Sequence, residues 1–356
     1  MSLRGLLNKI GVGSLAAGAG HLAVKAGAGR GRLADLYYLL AAGFRQEHRA
    51  VLYGQSLHLR NGTGTGACAD ARSYELRRNI HRLEKGLIMR PRRDVFARDF
   101  IEQTVDLFAV AVASGEDDEG ARLLQGWAMD VLHAYFQVVA HDPAIDRARV
   151  EYEETVQRHG LVPGTSVPYQ RDLSPLSISY EQMLQLARRR RSVRWYLQKP
   201  VPRELIDNAI QVAIYCPSAC NRQPFEFRIY DDREMIRKVA EIPMGSKGFL
   251  ENFPALAVIV GSLRAFPFER DRHIIYIDAS LAAMAFQFAL EVQGLSSCCI
   301  NWPEIPNREA LMAETLKLEP DQRVILLISL GYPDPEGMVP YSQKKTLDAI
   351  RSYNRL

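Results

Sequence analysis

The densest run of reactive side chains in the sequence is "RRRRSVRWYLQKPVP", residues 188–202, with five arginines in seven positions followed at once by apolar and aromatic residues. Arginine presents a planar fork of N–H donors suited to phosphate or carboxylate oxygens, and a serine hydroxyl adds a donor without adding charge. Arg190, Ser192 and Arg194 are spaced every second residue and would share one side of an extended stretch. That is a grip for one small anion. The same cluster also reads as a solvated helix end, where cations favour the C-terminal dipole.

Three more stretches have side chains of the same kind. "CPSACNRQPFEF", residues 216–227, sets the amides of Asn221 and Gln223 on a proline-bounded loop before a strand-like run. Such a loop can read a planar heterocycle, or can be no more than a capped turn. "GLSSCCINWP", residues 294–303, reads as a loop of small residues that lets backbone N–H groups approach a ligand, or as a tight packing turn. "GYPDPEGMVPYSQKKTLDAI", residues 331–350, carries Lys344 and Lys345 back towards the body of the protein. No hydrolase elbow, paired metal histidines or G-x-G-x-x-G after a strand is found.

The elements that must position these groups fall into two kinds. From Leu33 to about Gly160 the patterns are helical. "RSYELRRNIHRLEKGL" puts Leu76, Ile80, Leu83 and Leu87 on one stripe, with Gly86 placed to end the helix. "HGLVPGTSVPYQRDLSPLS", residues 159–177, concentrates Gly, Pro and Ser and reads as a boundary. Beyond it, helical stretches such as "PRELIDNAIQVAIY" alternate with the strand-like "FEFRIYD", "ALAVIVGSL" and "RVILLISLGYP", which indicates an α+β or α/β domain. The segment from Tyr276 to Gln293 is apolar nearly all round, so it belongs in a core or an interface.

Bulk properties narrow the field. A chain of 356 residues with 47% hydrophobic and 24% charged residues is globular and long enough for two cores. A net charge of +4 is too mild to favour nucleic-acid binding. Five cysteines (Cys68, Cys216, Cys220, Cys298 and Cys299) match neither a disulfide framework nor a zinc spacing, so a reducing, cytoplasmic setting and no metal are expected. No uninterrupted run approaches 18 apolar residues, so no membrane span is expected.

The order of the motifs, "RRSVR", "PSACNRQPF", "GLSSCCINW" and "LGYP" with a basic pair, resembles the FMN-dependent nitroreductase family over roughly residues 178–356. The resemblance implies an α+β homodimer with a central antiparallel sheet flanked by helices and an FMN at each of two interface sites. Arg190, Ser192 and Arg194 would hold the FMN phosphate and ribityl chain. Pro217, Ser218, Asn221 and Gln223 would line the isoalloxazine, reaching it from the other subunit. Ser297, Cys298 and Cys299 would lie beside the flavin ring, and Lys344 or Lys345 would close on the phosphate, with Arg222 and Lys247 as candidate cations near N1. The implied activity is ping-pong: NADH or NADPH reduces FMN, and a nitro, quinone or activated-alkene compound reoxidises it. A non-catalytic flavin-binding protein of assembly or regulation, linked to cell-surface polysaccharide synthesis, is the alternative. The expected organisation is a flexible leader (1–32), a helical N-terminal region (33–160), a linker (161–177) and the nitroreductase-like domain (178–356).

Overall fold

The computed structural model describes residues 31–40, 42–60, 71–115 and 118–355. The expected leader therefore lies outside the described residues except for Gly31 and Arg32, as do "GTGTG" (62–66) and Cys68.

Six helices form the N-terminal region: α1 (Gly31–Leu40), α2 (Ala42–Leu59), α3 (Ala71–Leu87), α4 (Ile101–Ala113), α5 (Glu119–Val138) and α6 (Pro143–His159). Local signals set several of their ends. The Asp118 carboxylate accepts from the Ala121 N–H to start α5, Asp142 accepts from the Ala144 N–H to start α6, and Gly160 stops α6 at φ 60°. Leu76, Ile80 and Leu83 of α3 are fully buried against Val105, Phe108, Leu132 and Tyr135. Gly86, expected to end α3, stands one residue before its last, and a Cβ there would meet the Phe96 ring at 2.3 Å. Its role is close packing.

Residues 161–179 contain no regular element. The Asp130 carboxylate of α5 nonetheless holds them, accepting from the N–H groups of Gly164 at 2.6 Å and Ser166 at 2.8 Å. Beyond them lie α7 (Tyr180–Arg189), α8 (Arg203–Ile214), α9 (Arg233–Ala240), α10 (Ile274–Val292), α11 (Pro306–Leu316) and α12 (Leu347–Ile350). Strands β1 (Phe225–Tyr230), β2 (Ala255–Ser262), β3 (Ser296–Asn301) and β4 (Gln322–Gly331) form one antiparallel sheet in the order β1-β2-β4-β3. The fold is α+β. Ala257 and Ile259 of β2 pack on α8 and α10, while Leu256, Val258 and Val260 pack with α9 and α11 on the other face. With both faces covered, β2 reads as a continuous apolar run. The residues of "GLSSCCINWP" read as a loop form β3, where small side chains suit an edge strand lying against α10.

Helix α10 is long and apolar enough to cross a membrane by length and composition, yet in the fold it covers the sheet. It is not apolar all round, since Asp278, Gln287 and Glu291 are all buried on it.

The helical region shares a core with the sheet domain. Ala50 and Val51 of α2 and Tyr74 of α3 join the cluster that contains Phe266 and Phe286. Contact is closest at residues 263–264. The His58 Nδ1 lies 2.8 Å from the Arg264 carbonyl, and Gly54 faces the Leu263 and Arg264 backbone. A Cβ at Gly54 would sit 2.9 Å from the Leu263 carbonyl carbon and 3.0 Å from the Arg264 nitrogen, neither of which can swing aside. Gly→Ala inside a helix ordinarily stabilises by about 1 kcal/mol. Gly54→Ala is expected to reverse that sign and cost about 1–3 kcal/mol, measured by denaturant unfolding.

Candidate functional site

The site is built on a strap, residues 190–196, that leaves the end of α7. Ser179 and Gln182 form a capping box that starts α7, and its exit is set by the Arg189 Nε bond to the buried Glu291 of α10 at 3.0 Å. Arg189 is therefore an exposed cation at the helix end, as its position suggested, and also a tether to α10. The strap then runs extended along β3. Ser192 bridges Ser297 in parallel, with the Val193 N–H donating to the Ser297 carbonyl at 3.1 Å. At its far end Tyr196 is buried. Its hydroxyl bonds to the Val193 carbonyl at 2.7 Å and to Ser329 Oγ at 3.0 Å, and its N–H donates to Asn252 Oδ1 at 2.5 Å. The neighbouring Leu197 N–H donates to the Tyr332 carbonyl at 2.9 Å.

This zipped strap brings Arg190, Ser192 and Arg194 to Ser297, Cys298 and Cys299. Burial pushes the Cys298 thiol up, while the charges of Arg194 and Arg190 and a hydrogen bond with Ser192 pull it down. Cys299 is exposed, and its thiol is raised by partial desolvation and by the Cys298 thiol, with Arg190 and the Gln287 bond opposing the rise. A raised thiol carries little thiolate, so neither cysteine is an activated nucleophile. Gln287 of α10 fixes this end of β3, its Oε1 accepting from Ser297 Oγ and Cys299 Sγ, each at 3.4 Å. The Arg194 guanidinium lies 5.6 Å from the Phe249 ring centre, and its Nη1 reaches the Ser192 carbonyl at 3.4 Å. Neither Arg190 nor Arg194 forms an ion pair among the described residues, whereas Arg189 and Arg203 do.

Arg191, part of the cluster that also reads as a solvated helix end, donates from Nη2 to the carbonyls of Pro340 and Tyr341, both at 2.5 Å. That bond pulls the exposed C-terminal segment to the strap. Lys344 follows Tyr341 by three residues, about 10 Å of chain at most. Lys344 and Lys345 are exposed.

The second group of expected residues gathers elsewhere. Ser218 Oγ accepts from the Gln223 N–H at 3.1 Å, and Gln223 Nε2 donates to the Ile214 carbonyl at 2.7 Å, closing the loop on the end of α8. Gln223 thus uses its amide to shape the loop. Cys220, Asn221 and Gln223 all have left-handed backbone, at φ 55°, 52° and 50°. Such residues cost on the order of 1–3 kcal/mol each and persist only where the surroundings over-determine them. Pro217 is exposed and Pro224 buried, the latter's carbonyl accepting from the Ser262 N–H at 2.9 Å. The buried Asp278 carboxylate of α10 accepts from the Ala219 N–H at 3.0 Å. Burial pushes the Asp278 carboxyl up, against the pull of that N–H and of the Arg222 charge. Arg222 is only 6% exposed, while Lys247 is exposed. Among the described residues no cluster of three or more His, Cys, Asp or Glu side chains is arranged to hold a metal.

The loop and the strap are not brought together within one chain. Their anchors on α10, Asp278 and Gln287, are nine positions apart, about 14 Å of helix. Polar residues in the otherwise apolar α10 were the signal that would have found Asp278, Gln287 and Glu291; Asn252 and Phe249 left none.

The nitroreductase family model matches residues 187–247 and 241–332. The C-terminal half of this chain holds a nitroreductase-family domain. Iodotyrosine deiodinase 1 of Rattus norvegicus is 27% identical to the chain over 228 residues, 56% of this chain and 77% of the rat protein. An FMN-dependent nitroreductase of Clostridium difficile R20291 overlays with a TM-score of 0.42 at 27% identity, covering 49% of this chain and 100% of that one.

In the nitroreductase domain the strap depends on the Tyr196 hydroxyl. Tyr196→Phe is expected to cost about 1–2 kcal/mol in thermal unfolding, since the Val193 carbonyl and the buried Ser329 each lose a partner.

Proposed function

We propose that the protein is an FMN-dependent oxidoreductase whose flavin is reduced by NADH or NADPH and reoxidised in the same pocket by a second small organic compound. The observation that carries this reading is the convergence of Arg190, Ser192 and Arg194 on one side of the strap, beside Ser297–Cys299, with both guanidiniums free of carboxylate partners among the described residues. An FMN phosphate carries close to two negative charges, and paired guanidiniums with a hydroxyl are the donor set that offsets its desolvation. Lys344 or Lys345, drawn in by the Arg191 tether, would add a further cation. Bound flavin supplies the hydride chemistry, and the chain's own residues bind, orient and shield it.

The distance between strap and loop favours a homodimer in which Pro217, Ser218, Asn221 and Gln223 of one subunit complete the site of the other. The exposed apolar residues Ile277, Leu281 and Val292 of α10, with Val212 and Ile214 of α8, offer the surface for it. Four described cysteines (Cys216, Cys220, Cys298 and Cys299) are free thiols, in keeping with a cytoplasmic setting.

The electron acceptor is a nitro compound, quinone or activated alkene. The long alignment with a deiodinase favours a second acceptor class, an iodinated phenol that loses iodide on two-electron reduction.

Anaerobic mixing of the purified protein with NADH or NADPH is expected to bleach the flavin absorbance, and reoxidation rates with a nitroaromatic, a quinone and iodotyrosine then rank the acceptors. Bound FMN that neither nicotinamide bleaches would refute the oxidoreductase reading. Arg190→Ala with Arg194→Ala is expected to lower FMN affinity by about a hundredfold or more while leaving a folded protein, read by flavin content after gel filtration. Leu281→Glu is expected to shift the sedimentation coefficient from dimer to monomer and to release FMN with it.

A further inference from the structure

The left-handed loop 217–223 has more support than its own turn requires. Two of its hydrogen bonds are internal to residues 214–223: Ser218 Oγ with the Gln223 N–H at 3.1 Å, and Gln223 Nε2 with the Ile214 carbonyl at 2.7 Å. A third leaves the loop. The Asp278 carboxylate, 3% exposed on the core helix α10, takes the Ala219 N–H at 3.0 Å. Beside it Arg222 is folded inward. Its guanidinium lies 4.9 Å from the Phe266 ring centre, its Nη1 reaches the Ala219 carbonyl at 3.4 Å, and its Nε is buried without a hydrogen-bond partner.

A buried guanidinium with no carboxylate in direct contact is costly unless negative charge stands nearby. Asp278 and Glu75 supply part of it, with Cys220 and Asp271 adding to the attraction and Arg78 opposing it. Asp278 comes from the sheet domain, and Glu75 from α3, which packs against residues 219–221. Arg222 is thus attracted by buried acids that belong to different regions of the chain.

We propose that Asp278 is a positioning residue for the loop 217–223: its carboxylate pins the Ala219 N–H, and Arg222, buried beneath the turn, supplies the counter-charge. The left-handed turn at Cys220, Asn221 and Gln223 is then set before any ligand arrives. What the loop does once set rests on the flavin reading above; how it is held does not. A hydrogen bond to a charged acceptor is about twice as strong as a neutral one, and this one couples the left-handed residues Cys220, Asn221 and Gln223 to the core.

The test is hydrogen–deuterium exchange on the full chain, flavin-free and FMN-loaded, in peptides covering residues 214–224, with β2 peptides as the internal reference, alongside FMN affinity from fluorescence titration. Asp278→Ala is expected to speed exchange in 214–224 by about tenfold or more, with β2 changing by less than about twofold, and to weaken FMN binding by about tenfold. Asp278→Asn keeps an oxygen that can accept the Ala219 N–H but loses the charge, and it is expected to fall between the native protein and the alanine variant in both measurements. Asp278→Ser serves as the second truncation if the alanine variant does not fold. Loop exchange that is unchanged, or that rises only in step with β2, overturns the proposal, and so does an asparagine variant as loose as the alanine one. A loosened loop with unaltered FMN affinity overturns the positioning role. Should the native chain take up no FMN, the flavin reading falls, and the exchange ratio alone decides whether Asp278 pins the loop.

Discussion

The buried ion pair between Arg264 and Asp321 is the constraint on which the rest of the molecule hangs. Arg264 is 1% exposed, yet its Nε donates to Asp321 Oδ2 at 2.8 Å, its Nη2 reaches both Asp321 and Glu319, and its backbone N–H bonds the same Asp321 oxygen at 3.0 Å. Burial works against the charge, and the two carboxylates outweigh it and hold the guanidinium above its ordinary range. Breaking such a pair leaves an uncompensated charge in the interior, a penalty of about 3–5 kcal/mol. Residues 263–266 therefore cannot drift. They carry the His58 contact and the Gly54 approach that dock α2, and the Phe266 ring that receives Arg222.

A second rigid element, α10, distributes that order to the site. Polar groups inside an apolar helix are tolerated only when each is bonded, and each of the three here is bonded to residues of the site. Asp278 holds the loop 217–223, Gln287 holds Ser297 and Cys299, and Glu291 takes both Arg189 at the end of α7 and Ser296 at the start of β3. The strap and the loop are thus set at fixed stations along one helix. The N-terminal helices reach the same assembly through α3, so they form part of the scaffold behind the loop.

Much of the architecture was legible because it obeys local periodicity. The stripe of α3 and the strand runs of β1, β2 and β4 depend on near neighbours, and the elements formed where those patterns stand. Misreadings came where a distant partner decides a residue's role. Gly86 stands at the end of α3 as its type suggests, but the Phe96 ring packed over it is visible only in the structure. "GLSSCCINWP" looks like a loop until β4 lies beside it, because small residues carry no strand signal of their own. Arg191 looks like a free surface cation until the Pro340 and Tyr341 carbonyls arrive from 149 and 150 positions away.

The amino-acid sequence by itself determined the two kinds of structure along the chain, the motif order that resembles nitroreductases, and the chemical character of each candidate group: cations with a serine, amides on a proline-bounded loop, small residues near a buried helix. Those follow from residue type and spacing. Only the tertiary structure decided which cations are spent on internal contacts and which stay open, that Asp278, Gln287 and Glu291 serve as anchors, and that the strap and the loop stand apart along α10. The physical reason is that a charge or an amide acquires its role from the partner that desolvates and binds it, and those partners are brought in by the packing of elements far apart in the chain.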